Sequence, residues 1–327
     1  MRTAPPRAPD RAPPVMAWIP GGEFLMGSDD FYPEERPAHQ VAVDGFWMDV
    51  GPVTVTEFDR FVAATGYQTT AEQPLSPADY PDADPALLVP GSLVFRRTAG
   101  PVDTTDFRQW WEYVPGACWQ HPEGPDTDVR ARGSHPVTQV AYADAEAYAA
   151  WAGKALPTEA EWEFAARGGL DGAAYVWGDE FAPGGRQLAN TWQGEFPWQN
   201  LLLDGHEGTS PVGAFPANGY GLFDMAGNVW EWTSDYFRPR HACAGSPGPA
   251  PCCAARNPRV TEPGRDLASA IPRKVIKGGS HLCAPSYCLR YRPAARQGEA
   301  IDTSTTHLGF RCVMRAPVAD GPGATPH

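Results

Sequence analysis

The sequence lacks the features of two broad functional classes. No run of about 18 apolar residues occurs among its 327 residues, so no membrane-spanning helix is predicted. Positive charge is scarce, because 26 Lys and Arg stand against 39 Asp and Glu, and the net charge is −13. Nucleic-acid binding needs a cationic surface that displaces counterions. We therefore expect neither a membrane nor a nucleic acid as a partner, whereas a partner that carries Arg or Lys would suit this charge.

Cysteines are also few. Their number, seven, is odd, so they do not describe a complete disulfide framework. The stretch 1–14 contains Pro and Arg but no apolar segment, which predicts a disordered tail rather than a secretion signal. We expect a cytoplasmic protein in which most thiols are reduced.

Glycine, proline and tryptophan are abundant instead. The chain has 34 Gly, 36 Pro and 12 Trp, and 42% of its residues are hydrophobic. This composition favours a core of packed loops held by large rings, with little regular secondary structure. No repeat or linker divides the chain. We expect a single irregular α+β domain over 15–316, between the tail at 1–14 and a flexible tail at 317–327.

Local patterns predict a small set of elements. Capping boxes predict helices that begin at Thr54 and Thr158 and end at Gly66 and Gly168, with the glutamates of the second on a solvated face. A further helix is predicted over 141–152. The remaining predictions are a short hairpin over 16–28, a strand over 39–48 and a long ordered loop over 70–108.

The segment 278–292 concentrates the reactive side chains. Cys283 and Cys288 lie five positions apart, with Ser280 and Tyr287 beside them and two arginines, Arg290 and Arg292, that could favour thiolates. Two thiolates suit a soft ion such as Cu(I). Both sulfurs could meet one ion only if Pro285 bends the chain. On chemistry alone, a disulfide or two buried free thiols are favoured over copper.

Two other ligand patterns are weaker. Asn190 and Asp204, and the run 224–231, offer oxygens for a hard cation such as Ca²⁺, although Asx turns explain the same residues without a metal. A set with irregular spacing could bind zinc, but a variable surface loop is favoured for it; its members are His241, Cys243, Cys252 and Cys253.

Several longer motifs together resemble one family, the formylglycine-generating enzymes or sulfatase-modifying factors, most closely the actinobacterial, mycobacterial type. The resemblance covers about residues 16–315, and its most specific part is the Ser-x-x-Cys-x-x-x-x-Cys segment. The motifs are GEFLMGS, TEFDRFVAATGY, HPVTQVAYADAEAYAAWAGKALPTEAEWEFAARGG, ANTWQGEFP, NGYGLFDMAGNVWEWTSD, GGSHLCAPSYCLRYRPAAR and HLGFRC. The resemblance implies a single irregular α+β domain related to C-type lectins.

The resemblance also implies an activity. Such enzymes oxidise a cysteine in a Cys-x-Pro-x-Arg motif of an unfolded sulfatase polypeptide to Cα-formylglycine, with O2. Cys283 and Cys288 match the pair that binds Cu(I), and the substrate thiol would join them as a third ligand. A thioaldehyde would follow and be hydrolysed with loss of sulfide. Ser280 matches a serine that positions oxygen or water, while Tyr287 and Trp230 match residues that line the pocket.

The family's two calcium sites carry over as well. The matching residues are Asn190, Thr191, Asp204 and His206 for one ion, and Asp224, Gly227, Val229 and Glu231 for the other. The chain also departs from the family. Ala149, Ala166 and Pro293 replace three of four disulfide cysteines of secreted members and leave Cys312 without its partner, and His307 replaces an Asn near the pocket. The pocket for the substrate arginine is not assigned.

Two alternatives remain open. A non-catalytic member of this fold that binds peptide or glycan would use the two cysteines structurally. An iron-dependent sulfoxide synthase needs a His-x-x-x-His-x-Glu motif, and no such spacing occurs among the eight histidines. The leading hypothesis is a monomeric, copper-dependent protein-cysteine oxidase.

Overall fold

A computed structural model describes residues 15–81, 84–85, 88–241, 254–264 and 271–315. Within these ranges, short strands and three short helices are joined by long ordered connections, which confirms the single irregular α+β fold. The helices are α1 (Val55–Thr65), α2 (Tyr142–Trp151) and α3 (Glu159–Arg167). The strands are β1 (Met16–Ile19), β2 (Gly22–Met26), β3 (His39–Val43), β4 (Phe46–Asp49), β5 (Gly91–Phe95), β6 (Trp111–Pro115), β7 (Trp230–Tyr236), β8 (Ala255–Arg256), β9 (Arg273–Lys277), β10 (Arg296–Ala300), β11 (Leu308–Gly309) and β12 (Val313–Arg315).

The helix ends follow the capping patterns in the sequence. The Thr54 backbone N–H donates to the Glu57 carboxylate at 2.8 Å, and the Thr54 hydroxyl accepts from the Glu57 N–H. The same reciprocal pair opens α3 between Thr158 and Glu161. Gly66, with φ 68°, ends α1 in the left-handed conformation. Of the helices described, α1 is the longest at 11 residues, and none has the length and apolar character to cross a membrane.

The predicted hairpin over 16–28 is wrong. β1 pairs with β4 and β2 pairs with β3, all antiparallel and with one continuous register. Residues 16–26 are therefore one arm of a longer hairpin, and 39–49 is the other. The predicted strand over 39–48 is divided at Asp44–Gly45, opposite the Gly21 turn, because both arms bend there. A Cβ on Gly21 would lie 2.5 Å from the Val43 carbonyl oxygen, so the bend requires glycine.

The prediction of a loop over 70–108 missed a strand. β5 lies within this range and pairs antiparallel with β6. These strands stand beside a small aromatic cluster, distinct from the main core, that joins distant parts of the chain. Its buried members are Trp110, Trp192, Phe196, Leu282 and Ala284.

The glutamates of α3 are buried, so the predicted solvated face is wrong. Glu159, Glu161 and Glu163 are each at most 6% exposed. Each pairs with a cation from a distant strand, as buried charges require: Glu159 with Arg296, Glu161 with Arg315, and Glu163 with Lys277. Glu163 also pairs with Arg167, one turn further along α3. α3 is thus bound to the sheet through ion pairs.

One four-stranded sheet positions the residues that follow. Its strand order is β10-β9-β7-β11, with β11 parallel to β7 and the other pairs antiparallel. The connection from β9 to β10 is the segment 278–295, which carries both cysteines. The parallel pairing sets His307, directly before β11, beside Trp230 at the start of β7.

Candidate active site

The two cysteines meet on a tight turn. The Cys288 N–H donates to the Ala284 carbonyl at 2.7 Å, so the chain bends around Pro285 as predicted. Gly279, with φ 68°, lies against the returning chain, and a Cβ there would stand 2.8 Å from the Arg290 carbonyl oxygen. The sulfurs of Cys283 and Cys288 are 3.2 Å apart. Since a disulfide bond measures about 2.05 Å, the pair consists of two unbonded thiols.

The two thiols differ in acidity. A hydrogen bond from Cys283 lowers the pKa of Cys288 to about 7, and the Arg290 guanidinium, 3.9 Å from the Cys288 sulfur, acts in the same direction against burial. Burial raises the pKa of Cys283. Cys288, the thiol nearer Arg290, is therefore the more acidic of the pair.

Only one of the two predicted arginines faces the thiols. Arg290 is held by Glu34 at 2.6 Å and stacks on the ring of Tyr32. Arg292 is buried in a bidentate pair with Glu35, on the ring of Phe31. The prediction that Arg292 favours a thiolate is therefore wrong, because its charge is neutralised away from the sulfurs.

The thiols open into a cavity of about 360 Å³. Ser280, Tyr287 and Trp230, the other predicted catalytic residues, line the same cavity. Ser280 is fully buried, and its hydroxyl accepts from the Leu282 N–H at 3.2 Å. The structure therefore brings together all five residues that the sequence predicted for catalysis.

The wall of the cavity is aromatic. Tyr287 stacks on Phe196 with ring centroids 4.5 Å apart and meets Trp110 edge-on at 5.5 Å. Burial raises the pKa of Tyr287, so it is a neutral phenol at pH 7. Tyr287 and Phe107, 40% and 58% exposed, form the rim. The wall joins residues far apart in sequence; the family resemblance named Tyr287 and Trp230, and the Trp110-Trp111 pair was a further signal in the sequence.

The thiol pair fits a soft metal ion. Two buried, unbonded sulfurs, one of them acidic, form the kind of donor set that Cu(I) accepts. Among the described residues, no cluster of three or more His, Cys, Asp or Glu side chains could hold a metal. The chain itself thus offers two soft donors at this point.

The first predicted calcium set contains an unpaired ligand atom. The Asn190 Oδ1 is buried without a hydrogen-bond partner, although its Nδ2 donates to the Gly208 carbonyl at 2.9 Å. The Asp204 carboxylate accepts from the N–H groups of Thr191 and His206 at 3.1 and 3.0 Å. An orphaned amide oxygen beside a carboxylate fits a hard cation.

The second predicted calcium set fits less well. Both Glu231 oxygens accept from the Arg311 guanidinium at 2.7 Å, and one also accepts from the Trp162 indole at 2.7 Å. Asp224 accepts from the Gly213 N–H at 2.8 Å. Of its other members, Gly227 has a left-handed backbone, with φ 73°, and Val229 is buried. A cation here would lie close to Arg311, so the geometry favours the first set.

Two further features lie away from the thiols. The zinc set keeps only His241 within the described residues, and burial lowers the pKa of His241 to about 4. A larger cavity of about 680 Å³ is lined by residues such as Trp119, His121 and Asp128, and none of the four described cysteines lines it.

Several known proteins resemble this chain over most of its length. The sequence profile of the family described as "Sulfatase-modifying factor enzyme 1-like domain" matches residues 2–316. The chain is 58% identical to the formylglycine-generating enzyme of Mycobacterium tuberculosis over 297 residues, which cover 90% of this chain and 96% of that protein. It is 38% identical to the inactive Cα-formylglycine-generating enzyme 2 of Mus musculus over 313 residues, which cover 93% of this chain and 86% of that protein. The solved structure of PvdO from Pseudomonas aeruginosa shares the fold, with a TM-score of 0.59 at 24% identity, and the match covers 92% of this chain and 94% of PvdO.

Proposed function

The chain belongs to the sulfatase-modifying factor family, and from this premise we propose that it is a copper-dependent formylglycine-generating oxidase. Its substrate is a cysteine in a Cys-x-Pro-x-Arg motif of an unfolded sulfatase polypeptide. Its product is Cα-formylglycine, formed with O2, and the modification activates the sulfatase.

The observation that carries this proposal is the unbonded thiol pair in the cavity. Structural cysteines gain from forming a disulfide or from packing in the core. Cys283 and Cys288 pack at the edge of the main core, but they form no disulfide, since their sulfurs are 3.2 Å apart, and both line the cavity. A pair of this kind is kept available for a ligand.

Cys283 and Cys288 would hold the copper, and Arg290 would keep Cys288 in the thiolate form that binds it. Copper, when bound, supplies the one-electron chemistry that allows O2 to react with a thiol-bearing carbon. Ser280 places a hydroxyl in the cavity for oxygen or water, and Trp230 and Tyr287 wall the site from solvent.

The overall conversion requires a site that limits water and admits a peptide. Oxidation of the cysteine to a thioaldehyde removes two electrons and two protons, which, with two electrons and two protons from a thiol reductant, reduce O2 to two molecules of water. One water then replaces sulfur by oxygen with release of sulfide. The aromatic wall limits water around the reacting carbon. A cavity of about 360 Å³ admits a few side chains of an extended peptide, which suits an unfolded substrate.

The proposal also covers calcium binding, the cellular location and the oligomeric state. We propose a structural Ca²⁺ at Asn190, Thr191, Asp204 and His206, supported by the orphaned Asn190 oxygen. The second set, at Asp224, Gly227, Val229 and Glu231, remains a proposal with weaker support. The four described cysteines, all unbonded, suit a cytoplasmic protein, and we propose that it acts as a monomer.

One assay tests the activity. The purified protein is incubated with Cu(I), O2, a thiol reductant and a Cys-x-Pro-x-Arg peptide, and mass spectrometry follows loss of sulfur and gain of the aldehyde. Conversion that requires copper and O2 is expected. The matched control is a Ser-x-Pro-x-Arg peptide, which has no thiol to oxidise and should remain unchanged.

The competing function is peptide binding without catalysis. It is a relevant alternative because one relative, from Mus musculus, is named an inactive Cα-formylglycine-generating enzyme. That function predicts that the peptide remains unchanged while copper is shown to be bound to the protein. This result would reject the oxidase and leave a binding module of the same family.

A further inference from the structure

His307 lines the same cavity as the thiols and has no role in the chemistry described above. Three contacts fix it. Its carbonyl accepts from the Trp230 N–H at 2.8 Å, its Nδ1 lies 2.6 Å from the Thr305 Oγ1, and its ring tilts against Trp111 with centroids 4.8 Å apart. Among the described residues, no hydrogen bond engages its Nε2. The ring is therefore held with one nitrogen free.

The contact with Thr305 determines which nitrogen carries the proton. The Thr305 Oγ1 already accepts from the His307 backbone N–H at 3.4 Å. Its own hydroxyl proton needs an acceptor, because Thr305 is buried, and within the described structure the His307 Nδ1 is the acceptor in reach. Nδ1 therefore receives a hydrogen bond, and the neutral ring carries its proton on Nε2.

We propose that the Nε2–H of His307 donates a hydrogen bond to a backbone carbonyl of the substrate peptide in the cavity. This inference rests on the proposed function, because it assumes that a peptide enters there. It makes His307 a substrate-binding residue, distinct from the metal-binding thiols.

The surroundings of the cavity explain why such a donor is needed. A peptide carbonyl that has left water needs a donor, because an unpaired buried carbonyl is costly. The Tyr287 phenol is a donor at the rim of the cavity, whereas His307 stands against Trp111 and Trp230. One N–H group of Arg273, another polar residue of the cavity, is already held by the Gly298 carbonyl at 3.0 Å.

The ring stays neutral under working conditions. Burial, with a contribution from the nearby His281, lowers the pKa of His307 to about 3. A neutral donor can bind a carbonyl without adding a further full charge to a cavity that Arg273 and Arg290 already line.

The binding test uses metal-free protein and a Ser-x-Pro-x-Arg peptide, so that no turnover interferes. Calorimetry compares the unaltered protein with His307→Leu and His307→Asn, each checked for folding by thermal unfolding. His307→Leu removes the donor and should weaken peptide binding about threefold to tenfold. His307→Asn keeps an N–H donor and should stay within about twofold of the unaltered protein.

The outcomes separate this inference from the proposed function. If the unaltered protein binds the peptide and His307→Leu binds it equally well, or if both variants are equally weakened, the donor role is rejected. If the unaltered protein does not bind the peptide, the proposed function fails and this inference falls with it.

A spectroscopic readout tests the proton position directly. Nitrogen-15 NMR of histidine-labelled protein, with His307 assigned from the His307→Asn spectrum, should show Nε2 protonated and Nδ1 unprotonated at pH 7. The reverse pattern would overturn the inference. Should His307→Leu fail to fold, Thr305→Val replaces it: a mixed tautomer with about twofold weaker peptide binding is expected, and an unchanged tautomer and affinity would contradict the argument.

Discussion

Two regions of this molecule bury charged or reactive groups, and they treat them in opposite ways. Beneath α3, each buried glutamate meets its own cation, as Glu163 meets Lys277 at 2.9 Å and Arg167 at 2.8 Å. At the active-site cavity, the Cys288 sulfur lies 3.9 Å from the Arg290 guanidinium, and both cysteine sulfurs still line the cavity. Satisfied groups hold the fold, whereas groups with free bonding capacity are available to ligands.

The largest expected effect tests the two thiols in the cavity. Cys283→Ser and Cys288→Ser should each lose nearly all turnover of a Cys-x-Pro-x-Arg peptide, at least about a hundredfold, because each removes a proposed copper ligand. Peptide oxidation and bound copper are measured together. Cys118→Ser, at a buried thiol outside the cavity, is the control and should keep its activity. Full activity in either cavity variant would reject the assignment of the pair.

The next effect tests the buried ion pairs beneath α3. Glu163→Gln should lower the free energy of unfolding by about 3 kcal/mol, because it removes the carboxylate that pairs with buried Arg167 and the nearer of the two carboxylates beside buried Lys277. Urea unfolding of the metal-free protein measures the loss, with exposed Glu23→Gln as the control. A loss below about 0.5 kcal/mol would show that this region is not held by its charges.

The same glutamate predicts a pH dependence. Burial alone would raise the pKa of Glu163. Lys277 and Arg167 nevertheless lower this pKa to about 2, from its ordinary value of 4.5. Its contribution to stability is therefore complete above pH 4.5 and is lost as the pH falls towards 2. In Glu163→Gln, the fall in unfolding free energy over this range should be smaller.

A third effect asks whether a free atom outside the cavity also marks a ligand site. Ca²⁺ at about a hundredfold above its dissociation constant should stabilise the protein by about 2.7 kcal/mol and raise the melting temperature by several degrees. Asn190→Ala removes the orphaned oxygen and should abolish this response. Asn218→Ala, whose side-chain oxygen has partners, should lose stability but keep the response to calcium. A calcium response that survives in Asn190→Ala would place the ion elsewhere.

The sequence predicted what depends on near neighbours. Thr54 and Glu57 are three residues apart, and both bonds of their capping box formed as the pattern required. The turn that joins Cys283 and Cys288 also lies within one segment. By contrast, Lys277 lies 114 residues from Glu163, so a helix pattern could not show that this glutamate is buried. The arms of the N-terminal hairpin were misassigned for a related reason, because their bends conceal one continuous register.

The smallest effect measures how much the Arg290 guanidinium contributes to the acidity of Cys288. In Arg290→Gln, the pKa of Cys288 should rise by about one unit from about 7, because the guanidinium that stabilises the thiolate is gone. The pH dependence of alkylation by iodoacetamide in metal-free protein, with the labelled cysteine identified by mass spectrometry, gives this value. Exposed Arg130→Gln is the control and should leave the midpoint unchanged. If the midpoint does not move in Arg290→Gln, the hydrogen bond from Cys283 alone sets the acidity of Cys288, and the cavity would then depend on its own thiols rather than on a neighbouring charge.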